Sequence, residues 1–194
     1  MLSGAFQDDA LHDSVQDIRE RLAARDKGIR RFHWDLEFPE VFNDEHGGFD
    51  VFVGNPPFLG GIKISGFLGD CYLLWLKFLC ESADGNSDLC AYFFRRVYAL
   101  LRRGGSAGLI ATNTICQGDT RRSSLSHICG SGGLIYPAEK RMRWPGVAAV
   151  IVSSVHFHRV DGSHSIRCYL DQSRYQVLRL FCCQELAAKT HDPS

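Results

Sequence analysis

Long apolar runs are missing from this 194-residue chain. The longest, around residues 72–80 and 147–155, are too short to cross a bilayer as helices, which excludes a membrane-spanning protein of that kind. No basic start followed by an apolar stretch opens the chain, whose first 31 residues are amphipathic with acidic and basic side chains interspersed, so no signal peptide is predicted. The eight cysteines (71, 80, 90, 116, 129, 168, 182 and 183) form neither CxxC pairs nor the even rhythm of a disulfide framework. Without paired ligands no metal site is expected, and the cysteines read as reduced thiols of a cytoplasmic protein. Internal repeats and low-complexity segments are absent, which excludes solenoids and arrays. Net charge is absent too, with 22 Lys and Arg against 22 Asp and Glu.

What is present is enough for one domain with a substantial core: 45% hydrophobic and 23% charged residues describe a soluble globular chain. The charge is unevenly distributed. Residues 1–90 carry 8 basic against 16 acidic side chains and residues 91–194 carry 14 against 6, so the later half is suited to meet a polyanion.

Residues 13–27 have the apolar spacing of an amphipathic helix (Val15, Ile18, Leu22, Ala23). The aromatic stretch 32–42, interrupted by Pro39, predicts a short strand and a turn. Phe49-Asp50-Val51-Phe52-Val53-Gly54 has the β-branched and aromatic content of a buried strand. Residues 72–80 predict a helix. A second helix is expected from about Asp88, its cap, to Arg103, stopped by Gly104-Gly105, with Leu89, Tyr92, Phe93, Val97, Leu100 and Leu101 as its apolar stripe. Residues 107–111 predict a strand, 121–129 a helix, 134–136 a short strand and 147–157 a long one. This order makes an α/β sandwich with a largely parallel sheet. The pattern weakens after about residue 162.

Ligands in open α/β sheets bind beyond the carboxyl ends of the strands, and Asn55-Pro56-Pro57-Phe58 lies directly after the strand 49–54. Two prolines fix both φ angles and remove two donors, leaving a rigid, acceptor-rich corner beside an aromatic ring. Such a corner suits an exocyclic amine on a flat base. Hydrogen bonds from the amine to the Asn55 side-chain oxygen and the Pro56 carbonyl would draw its nitrogen towards tetrahedral geometry and free its lone pair. Phe58 would stack on the base once it has left the duplex. The alternative is a proline-rich turn whose Phe fills a core gap. Asx-Pro-Pro-aromatic arises by chance on the order of once in a few hundred chains of this length.

The run from Phe49 through Phe58 resembles motif IV of the N6-adenine-specific DNA methyltransferases. The wider pattern is similar to the methyltransferase part of MmeI-like fused restriction–modification enzymes. It comprises His33-Trp34-x-Leu36-Glu37-Phe38-Pro39-Glu40-Val41-Phe42, then Gly54-Asn55-Pro56-Pro57-Phe58-x-Gly60-Gly61, then Ala111-Thr112-Asn113-Thr114-Ile115-x-Gln117-Gly118-Asp119. The resemblance implies a partial Rossmann-like class I methyltransferase fold, the C-terminal part of a mostly parallel sheet with flanking helices. It implies a DNA partner and S-adenosyl-L-methionine as methyl donor, with Asn55, Pro56, Pro57 and Phe58 as the catalytic loop. Phe93 and Pro57 would contact the cofactor, although Phe93 has equally the spacing of a core residue. Trp144, with Pro145, would stack on the flipped base opposite Phe58; the alternative is an interface or core tryptophan. Lys140, Arg141 and Arg143 would meet DNA phosphates or form a solvated basic loop. Thr112 and Asn113 follow the strand 107–111 at the same sheet edge, where they would line the pocket or form an ordinary strand-end loop.

The chain departs from the family upstream, where no strand followed by Gly-x-Gly precedes Asn55. Gly104-Gly105 and the glycines at 130–133 read as turn formers, not as a phosphate cradle. The sequence therefore divides into an N-terminal helical segment (1–31), a partial catalytic core (32–160) and a divergent tail (161–194). It is expected to be a fragment, doubtful as an enzyme alone, whose N-terminal methyltransferase half and target-recognition part lie elsewhere. The rival readings are a non-catalytic DNA- or partner-binding remnant and an amino-methyltransferase for cytosine N4, RNA or protein glutamine.

Overall fold

The computed structural model describes residues 20, 32–42, 47–80, 83, 86–144, 150–161, 168–170 and 173–175. The helix expected at 13–27 lies outside these, apart from the helical Glu20. A short helix α1 (Trp34–Glu37) stands where a strand is expected. His33 carbonyl accepts from Leu36 and Glu37 N–H, and Phe38 N–H closes back on Trp34. Helical spacing turns Trp34 and Phe38 towards each other, 5.9 Å between ring centres, and both rings meet Phe49 edge-on. Aromatic packing thus overrides the strand preference of this stretch.

β1 (Phe49–Gly54) leads through the 55–60 loop into α2 (Gly61–Leu68) and α3 (Asp70–Leu79). α4 (Leu89–Leu100) is capped as predicted, Asp88 accepting from Cys90 N–H at 3.0 Å. It ends earlier than expected, and β2 (Leu101–Thr112) begins at once and runs straight through Gly104-Gly105. These glycines are not a helix stop. A Cβ on Gly105 would come 2.8 Å from the Phe49 carbonyl oxygen, so this position serves the close approach of β1 to β2. Arg159 satisfies the end of α4 instead, donating to the Ala99 and Leu101 carbonyls with its guanidinium over the Tyr98 ring.

A 3₁₀ turn (Asn113–Cys116) follows β2. The next helical stretch, α5, comprises Gly118–Arg121, a π-helical segment Arg122–Ser126 and His127–Gly130. β3 (Gly133–Arg143) and β4 (Ile151–Arg159) form an antiparallel pair, and the short β5 (Cys168–Leu170) and β6 (Ser173–Tyr175) extend the same sheet. β3 is much longer than the predicted 134–136. Its far half pairs Met142 with Val152 and Arg143 with Ile151 after an irregularity between Glu139 and Met142.

The sheet order is β1-β2-β4-β3-β5-β6. The α/β class is as predicted, with a qualification about direction. β1, β2, β3 and β5 point the same way, but β4 runs against both its neighbours, so most contacts between described strands are antiparallel. The short return from β3 to β4 leaves no room for the crossover that a parallel pair requires. The main core lies between the sheet and α4 and α5, with Phe94, Leu101, Ile115, Leu125, Ile128, Ile135 and Phe157 fully buried. A second cluster joins α2, α3 and the start of α4 through Ile64, Leu76, Leu89 and Tyr92. Among the described residues no helix is long and apolar enough to cross a membrane.

Candidate active site

Because β1, β2 and β3 share a direction, three predicted segments meet one edge of the sheet. Asn55 follows β1, Thr112-Asn113 ends β2, and Trp144 follows β3. Asn55 and Pro57 are exposed, Pro56 is buried and Phe58 is half-buried. The loop is therefore anchored by its second residue while its polar and aromatic groups stay accessible.

Its far end is held by the start of α4. Leu89 N–H donates to the Leu59 carbonyl at 2.8 Å, and Leu59 N–H faces Asp88 Oδ1 at 3.4 Å. Gly61 lies against the chain at 86–87 so closely that a Cβ there would come 2.2 Å from the Asn86 carbonyl carbon. That contact gives the second glycine of Gly60-Gly61 a physical reason. The same stretch is tied to α5: Asp88 N–H donates to Thr120 Oγ1 at 3.1 Å, and Ser87 Oγ lies 2.7 Å from Ser123 Oγ. Ser87, Asp88, Thr120 and Ser123 are all buried, so their polar atoms depend on one another for partners. Thr112 Oγ1 reaches Asp88 Oδ2 at 3.5 Å and lies 2.6 Å from Thr114 Oγ1.

Cys90 adjoins this cluster but has no reactive character. Burial first, and the Asp88 carboxylate second, push its thiol far above the ordinary range, so it stays protonated and inert. His127 is pushed the other way, downward, by burial and then by Arg95, and is neutral at pH 7. Among the described residues no group of three or more His, Cys, Asp or Glu is placed to hold a metal ion.

Phe93 corrects the predicted apolar stripe: the residue is 38% exposed, and its neighbour Phe94 enters the core instead. A core role is thereby removed, and an aromatic face is left available on α4. Trp144 is likewise 37% exposed, its N–H bonded to the Val150 carbonyl where the β3–β4 hairpin turns; Pro145 lies outside the described residues. β3 stands three strand spacings from β1, roughly 14 Å across the sheet, so Phe58 and Trp144 flank the edge without sharing an element. Lys140, Arg141 and Arg143 are on β3 rather than in a loop, because this stretch pairs with β4. Arg141 sits at the irregularity with φ +57°, the left-handed region uncommon for a side-chain-bearing residue. The sequence marked Asp88 only as a cap and gave no role to Ser87, Gly61, Thr120 or Ser123, whose importance depends on contacts across about 30 residues of chain.

A sequence profile described as Eco57I restriction-modification methylase matches residues 4–129. No curated protein matches the chain significantly. Among solved structures it is similar to the Type IIL restriction-modification enzyme MmeI in complex with DNA, at 19% identity over 72% of this chain and 19% of that one, TM-score 0.47. It is also similar to a type I restriction-modification methyltransferase subunit from Streptococcus thermophilus, at 16% identity over 63% of this chain and 25% of that one, TM-score 0.45. A third similarity is to the type IIG restriction endonuclease BpuSI, at 16% identity over 74% of this chain and 17% of that one, TM-score 0.44. The chain thus spans a quarter or less of the length of each.

Proposed function

The chain belongs to the Eco57I restriction-modification methylase family, and from that membership we propose that Asn55-Pro56-Pro57-Phe58 is the loop at which adenine N6 of DNA is methylated. The observation that carries this reading is the position of the loop. It lies beyond the carboxyl end of β1, with Asn55 exposed at the edge that also receives Thr112 and Trp144. The Asn55 side-chain oxygen and the Pro56 carbonyl accept the two amine protons and hold the nitrogen pyramidal. Phe58 and Trp144 take the two faces of the flipped base. Lys140, Arg141 and Arg143 continue from the Trp144 side along β3 and meet phosphates.

S-adenosyl-L-methionine, when bound, supplies a sulfonium methyl group. Phe93 and Pro57, both exposed, would contact this cofactor. No Gly-x-Gly occurs in the sequence before Asn55, and we propose that this part of the cofactor site is supplied by another segment or subunit.

The test is methyl transfer into unmethylated DNA by the chain together with its upstream coding segment, with the modified bases identified by mass spectrometry. N6-methyladenine is the expected product, and Asn55→Ala lowers its rate by about 10²-fold or more. N4-methylcytosine would move the substrate to a different base. Undiminished methylation by Asn55→Ala would remove the loop from the chemistry. DNA binding with no transfer would favour the non-catalytic remnant.

A further inference from the structure

We propose that Asp88 is a positioning residue for the reactive loop, holding it in register with the end of β2; this rests on reading residues 55–58 as that loop. A helix cap alone does not call for a carboxylate. Ser or Thr accepts from the same N–H without the cost of burying a charge. Asp88 is only 6% exposed, and each of its oxygens has work beyond the cap. Oδ1 receives both Cys90 N–H at 3.0 Å and Leu59 N–H at 3.4 Å, while Oδ2 receives the Thr112 hydroxyl at 3.5 Å. Thr112 donates in this direction because Thr114, 2.6 Å away, can donate to it in turn. One side chain therefore touches the helix α4, the segment leaving the reactive loop, and the last residue of β2.

The rest of the cluster holds Asp88 itself still. Its N–H is bonded to Thr120, and the preceding Ser87 is bonded to Ser123 on α5. Leu89 N–H on the Leu59 carbonyl and the close seat of Gly61 complete the clamp. The loop itself contributes few donors, because Pro56 and Pro57 have no N–H. Its position is consequently set from its ends, and Asp88 governs the end that follows Phe58.

Site-resolved amide hydrogen exchange on the full chain tests this without any methyl transfer, so it can fail independently of the reading it rests on. Asp88→Ser keeps a capping oxygen for Cys90 but is too short to reach Leu59 and Thr112 together. The expected result is exchange about tenfold faster at Leu59, whose N–H faces Asp88, with α4 and the β3–β4 hairpin unchanged. Asp88→Asn, which retains the Oδ1 acceptor, restores slow exchange. Unchanged loop exchange in Asp88→Ser would overturn the proposal, as would faster exchange spread equally through α4 and the hairpin. If Asp88→Ser does not fold, Thr112→Val decides: loop exchange faster by about two- to threefold supports the clamp, and no change overturns it. In a preparation that methylates DNA, Asp88→Ser lowers kcat with KM for DNA unchanged, and a change in KM alone would contradict a positioning role.

Discussion

At the scale of single residues, the loop owes its shape to what is small or rigid in it. Pro56 is buried and immobilises the corner, and Gly61 permits a contact that no side chain could enter. Gly61→Ala forces Cβ against the backbone at 86–87, where no flexible side chain can move aside. It is expected to destabilise the chain by about 1–3 kcal/mol, read as a lower urea midpoint with unchanged slope. A substitution without loss would mean that the loop sits elsewhere. Asn55, by contrast, is exposed, so its replacement should leave stability within about 0.5 kcal/mol while slowing the proposed chemistry by about 10²-fold or more. The Asn-Pro-Pro-Phe loop was legible in the sequence because rare residue types coincide there. Gly61 and Asp88 were visible only as a motif letter and a cap.

At the scale of elements, local signals located most helices and strands, and tertiary packing decided their ends. The end of α4 is instructive: Gly104-Gly105 looks like a stop, yet the helix turns into β2 four residues earlier. The carbonyls left open there are taken by Arg159, which comes from β4 some 60 residues away. No window of local sequence contains that partner. Arg159→Met, which keeps much of the apolar stem, should lower stability by about 1–3 kcal/mol, checked by denaturant unfolding. Faster amide exchange should be concentrated in the last turn of α4. The predicted strand in 32–42 fails for a similar reason, since its aromatic side chains pack best on Phe49 and Phe52 from a helical turn. Phe93 and Phe94 exchanged roles because adjacent positions on a helix stripe differ in exposure by more than spacing can resolve.

At the scale of the whole molecule, the sheet collects the Asn55–Phe58 loop, the end of β2 and Trp144 at one edge. On the other side of β1, Val51 and Val53 are 61% and 86% exposed, unusual for a strand of this composition. Together with the lack of a Gly-x-Gly in the sequence before Asn55, this leads to an expectation for the proposed cofactor. Calorimetry should show S-adenosylmethionine binding by the chain extended with its upstream coding segment and none by the chain alone. Tight binding by the chain alone would overturn the proposal that the cofactor site is shared. The sequence by itself determined the α/β class, the strand-then-loop setting of Asn55 and the family to which the chain belongs, because these rest on local composition and on an uncommon motif. Only the tertiary structure decided that β4 lies reversed between β2 and β3, that Lys140 and Arg143 belong to a strand, and that Asp88 joins loop, helix and strand end. Each of these depends on pairing between residues far apart in the chain, which hydrophobic periodicity and propensity do not encode.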